Sequence, residues 1–175
     1  TGVVGIIFAI GQSDIKKILA YSSIENIGII ISGLGLALLG RSLNQPQWIM
    51  LGMGGLLMHV LNHSLFKSLL FFNAGAVIHI SHTRSINRMG GLAKQMPLTM
   101  LLFVIGAVAI CALPPLNGFA SEWLIYNGLF RTLDSGSGTA FTAAAIAAVA
   151  LAMIGALAIV CFVKLLGAVF LGLPR

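Results

Sequence analysis

Long apolar stretches separated by short polar segments make up nearly the whole chain. Apolar runs predict helices at about residues 22–40 and 48–80, each long enough to cross about 30 Å of hydrocarbon. Residues 1–11 are typical of the last turns of another helix, which ends at the polar stretch 12–17. We therefore expect a fragment of a longer protein whose first helix is truncated.

A different pattern occupies residues 97–131. An apolar run is interrupted by Pro114, Pro115 and Gly118, and then resumes to residue 130. Adjacent prolines remove backbone donors, and glycine frees the chain, so a helix should break there. The stretch is interpreted as one discontinuous membrane crossing.

A last helix is predicted at about residues 140–171, after a flexible segment at 134–138. The fold class is therefore all-α: a polytopic transmembrane helix bundle with about five membrane-crossing segments, one of them discontinuous. Composition agrees, since 58% of residues are hydrophobic, 8% are charged and the mean hydropathy is +1.03. These values exclude soluble enzymes. Cys111 and Cys161 lie in separate apolar runs and are expected only to pack.

The net charge of +6 is explained by topology rather than by nucleic-acid binding, because no basic patch is interleaved with aromatic residues. If residues 97–131 cross the membrane once, most cations share one side, which the positive-inside rule makes cytoplasmic. The cations on that side are Lys16, Lys17, Arg84, Arg88, Lys94 and Arg175, with Arg41 and Arg131 opposite. Two crossings would exchange the sides of Arg131 and Arg175 and weaken the contrast.

His59, His63 and Lys67 follow one another at four-residue intervals within an apolar run. On a helix they form a file on one face, roughly 6 Å apart. Ionisable groups are costly in a membrane, and this file could relay a proton. Alternatively, the histidines hydrogen-bond between helices while Lys67 pairs permanently with a carboxylate. A metal site is disfavoured, because no His-Glu-x-x-His motif or cysteine set completes one.

Glu122 lies four residues after Gly118, just beyond the predicted helix break. A break admits water and exposes backbone groups, which suits a carboxylate that exchanges protons. Alternatively, Ser121 or Asn117 caps the second half-helix, and Glu122 only favours its positive end. The two roles are compatible.

Four further charged residues could belong to the same path or only anchor helices. Lys16 and Lys17 lie at the cytoplasmic end of the first helix, and Lys17 is expected to extend to the interface. Glu25 lies one turn inside the second helix and Lys164 lies in the last one. The periodicity of the sequence does not decide whether Glu25 and Lys164 are buried relay members or interfacial anchors.

Three motifs in order, at residues 13–23, 59–67 and 113–122, give the chain a family resemblance. It resembles the antiporter-like membrane subunits shared by respiratory complex I, Mrp-type sodium/proton antiporters and membrane-bound hydrogenases. Residues 25–30 and 161–175 are most similar to the large membrane subunit of hydrogenase-4 and formate hydrogenlyase. The family has two inverted five-helix repeats, and residues 1–175 resemble the second as a single domain.

The resemblance also implies roles for individual residues. Lys16 matches the family's cytoplasmic-side lysine, His59 and His63 its channel histidines, and Lys67 its central lysine. Glu122 matches the position beside the second helix break, where the family has Lys or Glu. The implied function is proton translocation along buried Lys, His and Glu residues, and no catalytic residue is assigned.

The expected protein is thus a non-redox, multi-pass subunit of an oxidoreductase complex in a prokaryotic inner membrane. Its partners would be other membrane subunits and the lipid bilayer. We expect no cofactor, no metal and no nucleic acid in this chain. Two alternatives are a subunit of an Mrp-type sodium/proton antiporter and a non-conducting membrane scaffold of a hydrogenase.

Overall fold

Six α-helices form most of the chain in a computed structural model, which describes residues 1–135 and 137–173. The helices are α1 (Gly2–Gly11), α2 (Ile15–Ser42), α3 (Pro46–Ser81), α4 (Pro97–Ile110), α5 (Asn117–Phe130) and α6 (Gly138–Leu166). Helix α6 continues as a π-helical turn, Gly167–Leu171, and 3₁₀ turns cover Ile86–Arg88 and Arg131–Ser135. No strand occurs among these described residues, so the predicted all-α class is confirmed.

Helix α2 begins at Ile15, well before the predicted start near residue 22. The cause is Asp14, whose carboxylate accepts hydrogen bonds from the backbone N–H groups of Lys16 (2.8 Å) and Lys17 (3.2 Å). This N-cap satisfies donors that a helix start leaves free. Much of the polar stretch is therefore the first turn of a helix.

Three helices in the described part are long and apolar enough to cross a membrane: α2, α3, and α6 with its π-helical turn. Helices α1 and α4 are apolar but shorter. Two predicted features fall partly outside the described residues. Gly136, in the segment predicted to be flexible, lies outside them, and so does Arg175, which the sequence predicted on the cytoplasmic side.

Helices α4 and α5 lie in series along α3, running antiparallel to it. Positions along the pair rise as their neighbours on α3 fall: Gly106 with Leu70, Asn117 with Asn62, and Arg131 with Gln47. The two half-helices therefore follow one line through the bundle, as expected of one discontinuous crossing. The interruption covers residues 111–116, which contain the proline pair.

Both ends of the bundle carry cations, but unequally. At the end where α2 begins and α3 finishes, Ile15 N–H donates to Arg84 O (3.0 Å) and Ile86 N–H donates to Ser13 O (2.9 Å). We call this the lysine end. Its described cations include Lys16, Lys17, Arg84, Arg88, Lys94 and Lys164, whereas Arg41 and Arg131 lie at the opposite end.

Two separate apolar clusters fill the interior, one toward each end. On α2, Leu19 belongs to the cluster at the lysine end and Ile29 to the other. On α3, Phe66 belongs to the cluster at the lysine end and Trp48 to the other. The buried stretch between the clusters is polar, which marks it for function.

Candidate functional site

Eight buried polar residues from three helices lie between the two apolar clusters, and we call them the polar layer. Each is at most 8% exposed. They are Ser22, Glu25 and Asn26 of α2, His59, Asn62 and Lys67 of α3, and Ser121 and Glu122 of α5. Their spacing along each helix places them on inward faces, at the level where α4 and α5 are interrupted.

The ammonium of Lys67 is hydrogen-bonded to α2. Its Nζ donates to the carbonyl oxygen of Leu19 (2.8 Å) and to the hydroxyl of Ser22. A buried charge is tolerated only when it is solvated by such groups. Its hydrogen-bond partners are therefore a hydroxyl and a carbonyl, rather than the carboxylate that sequence reasoning offered as one alternative.

His59 is held on both sides of its ring. Its Nε2 lies 3.1 Å from Asn26 Oδ1, and its Nδ1 lies 2.9 Å from Ser121 Oγ. Asn26 is itself fixed, because its Nδ2 donates to the carbonyl oxygen of Ser22 at 2.7 Å. A continuous set of hydrogen-bonded residues therefore runs from Lys67 through Ser22 and Asn26 to His59 and Ser121.

The start of α5 is fixed to α3 by two asparagines. Asn62 Nδ2 donates to Asn117 O (2.7 Å) and to Ser121 Oγ (3.2 Å), and Asn117 Nδ2 donates to Asn62 Oδ1 (3.2 Å). Gly118 permits the close approach of the half-helices, since a Cβ there would collide with the carbonyl oxygen of Ala109. The polar layer thus reaches the break itself.

Two carboxylates complete the polar layer. Glu25 is buried, and neither of its oxygens has a hydrogen-bond partner among the described residues. It lies close enough to Lys67 and Glu122 to interact with both electrostatically. The N-cap position of α5 is Leu116, which makes no side-chain capping hydrogen bond. Asn117, the first residue of α5, accepts from the Gly118 N–H at 3.1 Å, and the Ser121 hydroxyl contacts Gly118 O (3.0 Å) and His59, so the predicted cap by Ser121 is not formed.

A groove of about 500 Å³ leads from the surface to Lys67. It is lined by Lys16, Lys67, Ser64, Ser68, Phe71 and Phe72. Lys16 itself is exposed, beyond the polar layer. The structure therefore brings the cytoplasmic-side lysine and the central lysine of the predicted path to one groove.

His63 is half-buried beside the polar layer, with its Nε2 unpartnered among the described residues. The ring of Phe66 lies edge-on to both histidines, with centroids 5.6 Å from His63 and 6.3 Å from His59. An apolar ring therefore contacts both members of the predicted histidine pair.

Comparison with known proteins identifies relatives of this chain. The sequence model of the family described as NADH:quinone oxidoreductase/Mrp antiporter, transmembrane, matches residues 1–149. The chain belongs to this family. It is therefore a multi-pass membrane protein, and the resemblance drawn from the three sequence motifs is confirmed.

Two curated members of the family match the chain over its full length. Formate hydrogenlyase subunit 3 of Escherichia coli (strain K12) is 47% identical over 175 residues, which are 29% of that protein. Hydrogenase-4 component B of the same strain is 46% identical over 175 residues, 26% of its length. The chain thus spans less than a third of these relatives.

A solved structure shares the fold. The Mrp complex from Dietzia sp. DQ12-45-1b contains a chain that matches with a TM-score of 0.69 and 28% identity, covering 98% of this chain and 28% of that one. Its likeness extends through the helix break to the last helix.

Lys164, the other candidate relay residue in this family member, lies outside the polar layer. It is exposed, and its Nζ donates to Ile10 O in the last turn of α1 (2.7 Å) and to the carbonyl oxygen of Gln12, which follows that helix (3.2 Å). Cys111 and Cys161 are buried in the apolar cluster at the lysine end, with free thiols. The described residues contain no group of three His, Cys, Asp or Glu side chains placed to hold a metal.

Sequence reasoning missed the neutral members of the polar layer: Ser22, Asn26 and Asn62. It considered Ser121 only as a helix cap. A signal was present, because Ser22 and Asn26 are one helical turn apart and Asn62 lies between the two histidines. Polar amides inside membrane helices are expected to have partners on neighbouring helices.

Proposed function

We propose that this chain is part of a proton-translocating membrane subunit of a multi-subunit oxidoreductase of the hydrogenase-4 or formate hydrogenlyase type. The observation that carries the proposal is the polar layer, which joins buried Lys67 to a helix break inside an otherwise apolar bundle. The names of the two full-length matches support the choice of complex. The proposed location is a prokaryotic inner membrane.

The proposed route begins at Lys16 on the cytoplasmic side and crosses the groove to Lys67. From there a proton would pass His63 and His59 to Glu122 beside the break. Buried ionisable groups of this kind mark proton relays in membrane proteins.

Glu25 is the proposed branch of this route. Its carboxyl group is buried without a hydrogen-bond partner among the described residues, so it is suited to hold a proton between Lys67 and Glu122. Lys164 is given no step, because its ammonium is bound to the end of α1.

In this proposal the chain itself contributes no redox centre. Electron transfer would occur in partner subunits, and the resulting charge changes would shift protons among the groups named above. Nearby charges alter the proton affinity of buried groups strongly, because the low dielectric leaves them poorly screened.

The proposal is tested by Lys67→Ala and Glu122→Gln, made separately in the intact complex. Each should lower the number of protons translocated per electron, while Lys17→Ala, an exposed neighbour of Lys16, should leave that ratio unchanged. Proton uptake by inverted membrane vesicles and electron flux are measured together. An unchanged ratio in both variants would contradict the route, and normal electron flux with no translocation in the wild type would indicate a non-conducting scaffold.

A second candidate function is that of an Mrp-type sodium/proton antiporter subunit, favoured by the structural match to the Mrp complex. It predicts sodium-dependent proton exchange in vesicles that lack any electron donor. Exchange that requires an electron donor and ignores sodium would favour the oxidoreductase instead.

A further inference from the structure

The hydrogen bonds around His59 determine which ring nitrogen carries the proton when the ring is neutral. Asn26 Nδ2 donates to a backbone carbonyl, Ser22 O, which can only accept, so Asn26 Oδ1 must face His59. An amide oxygen also only accepts. The hydrogen-bond network therefore assigns the proton to Nε2, leaving Nδ1 with a free lone pair.

The nitrogen Nδ1 faces the Ser121 hydroxyl, which has two possible hydrogen-bond acceptors. Ser121 Oγ lies 2.9 Å from Nδ1 and 3.0 Å from Gly118 O, and it accepts a hydrogen bond from Asn62 Nδ2 at 3.2 Å. A serine has one hydroxyl proton, so it can donate to only one of the two acceptors at a time.

We infer that His59 exchanges its proton only at Nδ1, through the Ser121 hydroxyl, while Asn26 positions the ring by holding Nε2–H. This inference deepens the proposed function and rests on it for its role in transport. Asn26 is a positioning residue, because an amide oxygen cannot carry the proton onward.

The exchange step conserves protons and leaves neither His59 nor Ser121 without a hydrogen-bond partner. In the neutral state Ser121 O–H donates to Nδ1. When Ser121 passes that proton to Nδ1, Oγ takes one from a donor at the break, either water or the carboxyl group of Glu122, which becomes the conjugate base. The new imidazolium donates Nδ1–H to Oγ, and the hydroxyl turns to Gly118 O.

Both protonation states of His59 thus keep hydrogen-bond partners without movement of the helices. An unpaired buried donor or acceptor costs about 1–3 kcal/mol, and this arrangement avoids that cost in each state. The consequence for the route is directional. A proton that comes from His63 must therefore enter and leave His59 through the Ser121 hydroxyl, on the side of the break and Glu122, because the side that faces α2 is closed.

The transport test uses Ser121→Ala and Ser121→Thr in the intact complex. Alanine removes the hydroxyl and should lower proton translocation at least about tenfold, whereas threonine keeps the hydroxyl and should restore most of it. Ser32→Ala is the matched control and should leave transport unchanged, since among the described residues the Ser32 hydroxyl is hydrogen-bonded only to Gly28 O of its own helix (2.9 Å). Wild-type transport in Ser121→Ala would overturn the inference.

A second measurement does not depend on transport. Nitrogen-15 NMR of ring-labelled full-length protein in lipid, with His59 assigned by a His59→Gln difference spectrum, reports the tautomer at a pH where the ring is neutral. We expect Nε2–H in the wild type and in Ser121→Ala, and a mixture of tautomers in Asn26→Leu. A neutral wild-type ring protonated at Nδ1 would overturn the inference. Failure of transport in the wild type would instead reject the proposed function.

Discussion

The Lys67 ammonium shows how this family member keeps a charge inside an apolar bundle. Two oxygens of α2 solvate it, Leu19 O and Ser22 Oγ, while the buried carboxylate of Glu25 stays out of its hydrogen-bonding shell. Such solvation by neutral groups stabilises the ion without fixing it in a permanent ion pair. The proton on Lys67 therefore remains available for transfer under the proposed function.

Removing the Ser22 hydroxyl should destabilise the protein through Lys67. Ser22→Ala leaves the ammonium with Leu19 O as its one hydrogen-bond partner in the described part of the chain, so we expect a loss of about 1–3 kcal/mol in the free energy of unfolding. Denaturant or thermal unfolding of the detergent-solubilised full-length protein measures it. Ser32→Ala should change the value far less.

A double variant separates this interaction from general packing. With Lys67→Met in place there is no ammonium to solvate, so Ser22→Ala should then have a much smaller effect. Strictly additive effects of the two substitutions would contradict a direct interaction between these side chains.

At this scale the sequence identified charged residues better than neutral ones. Lys67, His59 and Glu122 were found because charge is costly in a membrane, and all three are buried between the apolar clusters. Ser22 and Asn26 were missed because their role depends on partners on another helix, which periodicity along one helix does not show.

Among the helices, α2 and α3 are packed closely through glycines, with Gly33 of α2 facing Gly52 of α3. Small residues let helix backbones approach in membranes, where packing rather than the hydrophobic effect drives association. Both helices contribute to the polar layer. Their separation therefore sets the distances from Lys67 to Ser22 and from His59 to Asn26.

A methyl group at Gly52 should push these helices apart. Its Cβ would lie 2.6 Å from Gly33 O and 2.7 Å from Ala37 N, so we expect Gly52→Ala to cost about 1–3 kcal/mol of stability. Gly54→Ala is the control on the same helix, because the nearest atom to its Cβ is Leu124 Cδ1 at 4.0 Å. Thermal unfolding compares the two, and equal melting temperatures would contradict the close packing.

The sequence predicted the positions of the helices and the break, because apolar length and paired prolines are strong local signals. It misplaced the start of α2, since a polar stretch resembles a loop until Asp14 is seen to cap Lys16 and Lys17. The serial arrangement of α4 and α5 along α3 was one of two topologies that the sequence allowed.

For the whole molecule, the unequal distribution of cations predicts an orientation in the membrane. More of the described cations lie at the lysine end, which the positive-inside rule places in the cytoplasm. The single discontinuous crossing puts Arg131 with Arg41 at the other end.

Cysteine labelling of intact cells tests both statements. We expect a membrane-impermeant maleimide to label Ser42→Cys and Arg131→Cys, and to label Arg84→Cys and Lys94→Cys only after the membrane is opened. The native thiols, Cys111 and Cys161, are buried and should give little background. Labelling of Arg131→Cys together with Lys94→Cys would contradict a single crossing.

Phe66 gives the proposed route a timing element. Its ring contacts both His59 and His63, so an apolar group borders the space between the two histidines. Under the proposed function, a proton would pass from His63 toward the Ser121 side of His59 when this ring turns aside. A ring packed in a core turns less often than the exposed side chains that rotate within nanoseconds. The rate of proton transfer would then depend on the motion of an apolar side chain that never holds a proton.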